Sequence, residues 1–73
     1  MIGYTATADS VEFTLGSIIE TIPRPLKYVK FDTLSNKIYV NKKNGDIVFS
    51  STDLPINGYT TMTDLYNNLK TLM

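Results

Sequence analysis

The first half of the chain alternates between apolar and polar residues, and this alternation predicts β-strands. The segment 10–15 places Val11, Phe13 and Leu15 on one face and polar residues on the other, which is the period-two pattern of a half-buried strand. A short apolar run at 18–22 fits either a second strand or a helical turn. The Pro-Arg-Pro sequence that follows prevents a helix from continuing, so the run is short in either case.

The segment 37–51, KIYVNKKNGDIVFSS, predicts a β-hairpin because Asn44-Gly45 lies between two alternating runs. A two-residue type I′ turn needs positive φ at both central residues, and Asn followed by Gly is the pair that tolerates it best. With this turn, Val40 pairs with Phe49 and the apolar residues share one face. That inner face consists of Ile38, Val40, Ile47 and Phe49.

The segment 26–31 predicts the strand before the hairpin. Matching Phe31 to Ile38 and Val29 to Val40 continues the apolar face, although it sets two lysines opposite each other. Burying two large side chains stabilises the fold by roughly 3–6 kcal/mol, against a few tenths for a solvated pair of like charges. The apolar register is therefore expected. It places Leu26, Tyr28, Lys30 and Tyr39 on the outer face.

The two ends of the chain differ in pattern. Residues 1–9 are small and polar and predict a flexible arm or a weak edge strand. Residues 50–59 predict a loop, and an amphipathic helix follows it, with Thr61 and Asp64 resembling a capping box at its start. The apolar stripe of this helix is Met62, Leu65, Tyr66, Leu69, Leu72 and Met73. The prediction is a single α+β domain, 1–73: a small antiparallel meander of three to five strands with one C-terminal helix packed on it.

Composition limits the stability and the origin of the protein. A core in a chain of 73 residues supplies only about 3–5 kcal/mol, so further support is expected. The chain has no Cys and no His, which excludes disulfides and makes a zinc site improbable. Self-association or binding to a protein partner remains as the source of additional stability. Its richness in Ile, Asn, Lys and Tyr indicates an AT-rich genome, as in many bacteria and their phages.

Charge is unevenly distributed although the net charge is zero. Residues 24–43 contain six Lys or Arg residues against one Asp, a local balance of +5, between acidic flanks. No apolar segment approaches the length of a membrane span, and the N-terminus lacks the features of a signal peptide. We therefore expect a soluble, unprocessed protein without membrane insertion, either cytoplasmic or associated with a virion.

Catalytic chemistry is not expected from this composition. General acid–base and nucleophilic catalysis at neutral pH mostly use His, Cys or clustered carboxylates, and the seven carboxylates are spread along the chain. The four glycines are widely separated, so no phosphate-binding loop is present. We expect a protein that is not an enzyme and has no cofactor or metal.

The favoured hypothesis is a non-enzymatic protein-interaction or assembly module that forms a homo-oligomer or binds a protein partner. Such modules are found among small phage or bacterial accessory and structural proteins. Two alternatives are a sheet that binds single-stranded nucleic acid through Tyr and Lys, and a small inhibitor of a host enzyme. The apolar C-terminus suggests that another subunit covers it. The candidate interaction surface is Tyr28, Lys30, Lys37, Tyr39, Lys43, Leu72 and Met73.

Overall fold

The computed structural model describes residues 2–42 and 45–73. In this part of the chain, six strands precede one C-terminal α-helix. The strands are β1 (Ile2–Ala6), β2 (Ser10–Leu15), β3 (Ile18–Pro23), β4 (Val29–Asp32), β5 (Lys37–Lys42) and β6 (Gly45–Ser50). A single turn of 3₁₀ helix (Ser51–Asp53) and helix α1 (Met62–Lys70) follow. The predicted α+β class is confirmed, with one strand more than the expected three to five.

The strands form two antiparallel sheets rather than one meander. Sheet A has the order β1-β2-β3, and sheet B has the order β4-β5-β6. The division falls at the Pro-Arg-Pro sequence, where proline removes a backbone donor and restricts the residue before it. The run at 18–22 is a strand and not a helical turn. Segment 26–31 is extended only from Val29, which makes β4 shorter than predicted.

The predicted register between β4 and β5 is confirmed. Val29 pairs with Val40, and Phe31 pairs with Ile38. The register of the next hairpin was wrong by two residues, because Val40 pairs with Ile47 instead of Phe49. Because side chains alternate with period two, a shift of two residues leaves every side chain on its predicted face.

The pairing of Lys42 with Gly45 makes Gly45 the first residue of β6 instead of part of a central turn pair. Its φ of +138° is one that glycine adopts without the clash a side chain would cause. Lys43 and Asn44, the rest of the predicted turn region, lie outside the described residues.

One core joins both sheets and the helix. The rings of Tyr4 and Phe13 from sheet A meet the ring of Phe49 from sheet B, with centroids 5.8 to 6.4 Å apart. All four residues of the predicted inner face of the hairpin are buried. Helix α1 packs on β4 and β5, and its residue Tyr66 lies 5.5 Å from Phe31 between ring centroids.

The C-terminal segment is held at both ends. At the start of α1, the Thr61 hydroxyl accepts a hydrogen bond from the Asp64 N–H at 3.2 Å, which is the threonine half of the predicted capping box. After α1, the carbonyl of Leu72 accepts a hydrogen bond from the Leu26 N–H at 3.0 Å. Leu26 was predicted on the outer face of sheet B but is buried, because it precedes β4 and turns toward this last turn of the chain.

Candidate interaction surfaces

The outer face of sheet B brings four of the predicted surface residues together. Direct partners in an antiparallel sheet share a face, so the pairing aligns Lys30, Tyr39 and Val48 in one row across the three strands. Lys37 lies in the next row, opposite Asp32. We define the tyrosine–lysine face by Tyr28, Lys30, Lys37 and Tyr39.

A cation–π contact organises one corner of this face. The Lys30 ammonium lies 4.6 Å from the centroid of the Tyr28 ring, within the distance at which the ring quadrupole attracts a cation. Lys30 is exposed, while Tyr28 and Tyr39 are half-buried. The arrangement therefore presents two aromatic rings and a cation to one side of the sheet.

Carboxylates on the same face reduce its positive charge. Asp32 pairs with Lys37, and Asp46 pairs with Asn41. Hydrogen bonds from the Ser35 side chain and from the N–H groups of Ser35 and Leu34 lower the pKa of Asp32, so it is an anion at neutral pH. The described cations Lys30 and Lys37 are therefore balanced by two anions. Lys43 lies outside the described residues.

The remaining predicted surface residues lie elsewhere. Leu72 is buried, and Met73 is half exposed at 50%, beside the segment that contains Leu26 rather than on the tyrosine–lysine face. The docked last turn accounts for Leu72 without a partner. Asn41, predicted on the outer face, is buried as well: its side-chain oxygen accepts N–H groups of Lys27 at 2.9 Å and Tyr28 at 3.3 Å.

The edge of sheet A formed by β1 is closed by a side chain. Asn57 donates its amide N–H to the Tyr4 carbonyl at 2.6 Å and accepts the Tyr4 N–H at 3.0 Å. The same residue holds a positive φ of 52°, which Asn tolerates better than most residues. Its amide thus satisfies the outward-pointing backbone groups of Tyr4 as a neighbouring strand would.

Tyr4 is also fixed through its side chain. Its hydroxyl donates to the side-chain oxygen of Asn68 at 2.6 Å, which connects β1 to α1. Burial, with a smaller contribution from Tyr59, raises the pKa of Tyr4 to about 12. The edge strand is therefore attached to two separate parts of the C-terminal half.

The opposite edge, formed by β3, is open. Backbone groups in an antiparallel strand point alternately toward and away from the partner strand. The Arg24 N–H donates to the Asp9 carbonyl at 2.9 Å, so the backbone groups of every second residue before Arg24 point toward β2. The backbone groups of Ile19, Thr21 and Pro23 point outward. Within residues 2–42 and 45–73, no other strand pairs with this edge.

Two large apolar side chains stand at the start of this edge. Ile18 is 59% exposed, and Ile19 is 62% exposed. A groove of about 570 Å³ runs beside β3, and its charged lining residues are Glu20, Arg24 and Lys27. We call Ile19, Thr21 and Pro23, with the groove beside them, the β3 edge.

Neither surface, in the described part of the chain, groups side chains that could hold a metal ion. Across the described ranges, no three His, Cys, Asp or Glu side chains are close enough to hold a metal ion. Every buried side-chain nitrogen and oxygen there has a hydrogen-bond partner.

No helix in this part of the chain has the length and apolar character to cross a membrane. What the two surfaces offer is recognition by backbone pairing, apolar contact and aromatic stacking.

Comparison with known proteins finds no matching family model and no matching curated protein or solved structure. The geometry of the chain is therefore the basis for assigning a role. Sequence reasoning gave an edge strand within residues 1–9 as one alternative, which β1 confirms, but it missed the role of Asn57 at that edge and the open edge at β3. The sequence indicates only a loop breaker at Asn57-Gly58. For β3, the available signal is Pro23, because a proline at the end of a strand is typical of an edge strand.

Proposed function

We propose that this chain is a non-enzymatic protein-interaction or assembly module that binds its partner through the β3 edge. The observation that supports the proposal is the difference between the two edges of sheet A: Asn57 covers β1, while β3 presents open backbone groups and an exposed Ile19. An open, apolar edge strand is a template for pairing with another chain. Addition of a strand to such an edge is a common mode of recognition.

The small size of the domain favours the same role. A core of this size contributes only about 3–5 kcal/mol of stability. A partner that binds the folded state alone adds stability by mass action, about 2.7 kcal/mol when its concentration is 100 times the dissociation constant. Binding at β3 would therefore stabilise the domain as well as connect it to its partner.

The test is capture of partners by a tagged chain, together with the molar mass of the purified protein in solution. Ile19→Lys places a charge at the edge, and we expect it to abolish binding. Val48→Lys is the matched control, because Val48 is also a β-branched strand residue and is 43% exposed, but it lies on sheet B.

We expect Val48→Lys to bind as the natural chain does. A chain that is monomeric and captures nothing would overturn the proposal, as would full binding by Ile19→Lys. If the captured partner is an enzyme that loses activity in the complex, the module acts as an inhibitor.

A second candidate function is binding of single-stranded nucleic acid by the tyrosine–lysine face. The contact of Lys30 with the Tyr28 ring, beside Tyr39, favours it because such sites stack bases on aromatic rings and neutralise phosphate with cations. Binding of a fluorescent oligonucleotide should weaken with added salt and should be lost in Tyr39→Ala. Tyr39→Phe keeps the ring and should retain binding. No binding at low salt would exclude this function.

A further inference from the structure

We infer that the partner of β3 is the β3 strand of a second copy of this chain, paired antiparallel across a two-fold axis so that two copies of sheet A form one six-stranded sheet. The inference rests on the proposed function and specifies its partner. In the register we assign, Thr21 faces Thr21 of the second copy, and Ile19 faces Pro23.

The outward backbone groups of β3 match each other in this register. Residues in a hydrogen-bonded antiparallel pair exchange two N–H···O bonds, so the two Thr21 residues donate to each other. Each Ile19 N–H donates to the Pro23 carbonyl of the other copy. Pro23 has no N–H, but here it is needed only as an acceptor. The pairing therefore makes four hydrogen bonds.

The side chains on the outer face are also self-complementary. Thr21 is exposed and in line with Thr5 and Glu12 on that face. In the paired sheet, two Thr21 side chains meet at the axis, and an Ile19–Pro23 contact lies on each side of them. Threonine pairs and apolar pairs across neighbouring strands are stabilising. Pairing also covers Ile19, one of the most exposed large apolar side chains of the described chain.

Charge disfavours one of the two neighbouring registers. Moving the second strand by one pairing step sets Glu20 opposite Glu20, and like charges directly opposed are destabilising. In the assigned register, Glu20 faces Ile22 of the other copy, and the two Glu20 side chains lie diagonally apart instead of directly opposite each other. The groove beside β3 leaves room for the added strand.

The chain contains no Cys, so a single introduced Cys gives an unambiguous crosslinking test. The Cα atoms of a hydrogen-bonded antiparallel pair are about 5.5 Å apart, which lies within the range for a disulfide. Thr21→Cys should therefore form a covalent dimer on oxidation of the two thiols by oxidised glutathione. Thr5→Cys is the matched control, since Thr5 lies in the same row of sheet A but on β1.

At about 10 µM protein, thiols held together in a dimer have an effective concentration on the order of millimolar, so Thr21→Cys should crosslink roughly 100-fold faster than Thr5→Cys. The natural chain should show twice the 8.2 kDa monomer mass by light scattering. Circular dichroism of both variants establishes that they are folded.

Two results would overturn the inference. Crosslinking of Thr21→Cys at the rate of Thr5→Cys, with a monomeric natural chain, would refute self-pairing. Crosslinking of Ile19→Cys as fast as that of Thr21→Cys would refute the assigned register, in which the two Ile19 residues are not opposite each other. If the chain is monomeric but captures another protein and loses it in Ile19→Lys, the interaction function holds and only the identity of the partner is wrong.

Discussion

The two edges of sheet A are made of the same extended backbone, but the rest of the molecule covers only one of them. At β1, the Asn57 amide donates to and accepts from the backbone of Tyr4. At β3, the outward groups of Ile19 and Thr21 meet no strand in the described chain. A single side chain therefore covers the middle of the β1 edge. The two edges of sheet A therefore differ because Asn57 reaches only β1.

The closed edge depends on close approach at its first residues. A Cβ atom on Gly3 would lie 3.0 Å from the Asn57 side-chain oxygen, which is tighter than an ordinary contact. Glycine at this position therefore leaves room for the Asn57 amide beside Tyr4. The β1 edge is built to receive that amide, whereas the β3 edge has no comparable neighbour among the described residues.

The largest expected effect comes from β2, the strand that both edges share. Phe13→Ala removes a fully buried ring that contacts Tyr4 and Phe49, and such changes cost about 3–5 kcal/mol. That is comparable with the whole stability expected for a domain of this size, so we expect loss of the cooperative urea transition. Glu12→Ala, at an exposed position of the same strand, should change the free energy of unfolding by less than about 0.5 kcal/mol.

Opening the closed edge should have the next largest effect. Asn57→Gly removes both hydrogen bonds to Tyr4 but keeps the positive φ accessible, and we expect the free energy of unfolding to fall by about 1–3 kcal/mol. Asn57→Ala should cost about 1 kcal/mol more, because alanine is strained at that φ. Urea denaturation followed by circular dichroism measures both. A free energy of unfolding of Asn57→Gly equal to that of the natural chain would show that the Asn57 amide does not stabilise the β1 edge.

The Tyr4 hydroxyl, on the β1 side of the comparison, should make the free energy of unfolding depend on pH. Its pKa is raised from 10 to about 12, so the folded state favours the protonated phenol. This stability is fully present below pH 10 and is lost as the pH rises toward 12. Tyr4→Phe should lose about 1 kcal/mol at neutral pH with the Asn68 hydrogen bond and should show a shallower fall above pH 10. An unchanged alkaline slope would contradict this role of Tyr4.

The smallest effect on the monomer is expected at the open edge. Ile19→Thr changes an exposed side chain, so the free energy of unfolding of dilute protein should stay within about 0.5 kcal/mol of the natural value. Ile22→Val, at the buried position of the same strand, should cost about 0.5–1.5 kcal/mol. Self-association measured by light scattering should weaken in Ile19→Thr and not in Ile22→Val. The reverse order would remove the case for β3 as a contact element.

Sequence alternation predicted sheet B in detail because its apolar residues can be buried in few ways. The pairs Val29–Val40 and Phe31–Ile38 follow from placing the largest side chains on one face. The pattern could not distinguish pairing of Val40 with Ile47 from pairing with Phe49, since both bury the same side chains. The turn preference of Asn-Gly then pointed to the wrong one of the two registers.

The candidate surface was predictable only where strand alternation determines which face a residue lies on. Strand alternation placed Lys30, Lys37 and Tyr39 on one face, where the structure has them. The burial of Leu72 depends on a hydrogen bond with Leu26, and that of Asn41 on the backbone before β4. Such contacts between distant segments leave no periodic signal in the chain.

The sequence by itself determined the secondary structure of most of this protein, the inner faces of β2, β4, β5, β6 and α1, and the absence of His and Cys chemistry. The tertiary structure alone decided that the strands divide into two sheets and that Asn57 closes one edge, 53 residues from Tyr4 in the chain. The reason is that alternation records which side of a strand is buried but not what lies beside it. A long-range hydrogen bond requires a loop closure whose entropic cost only the packed core can offset.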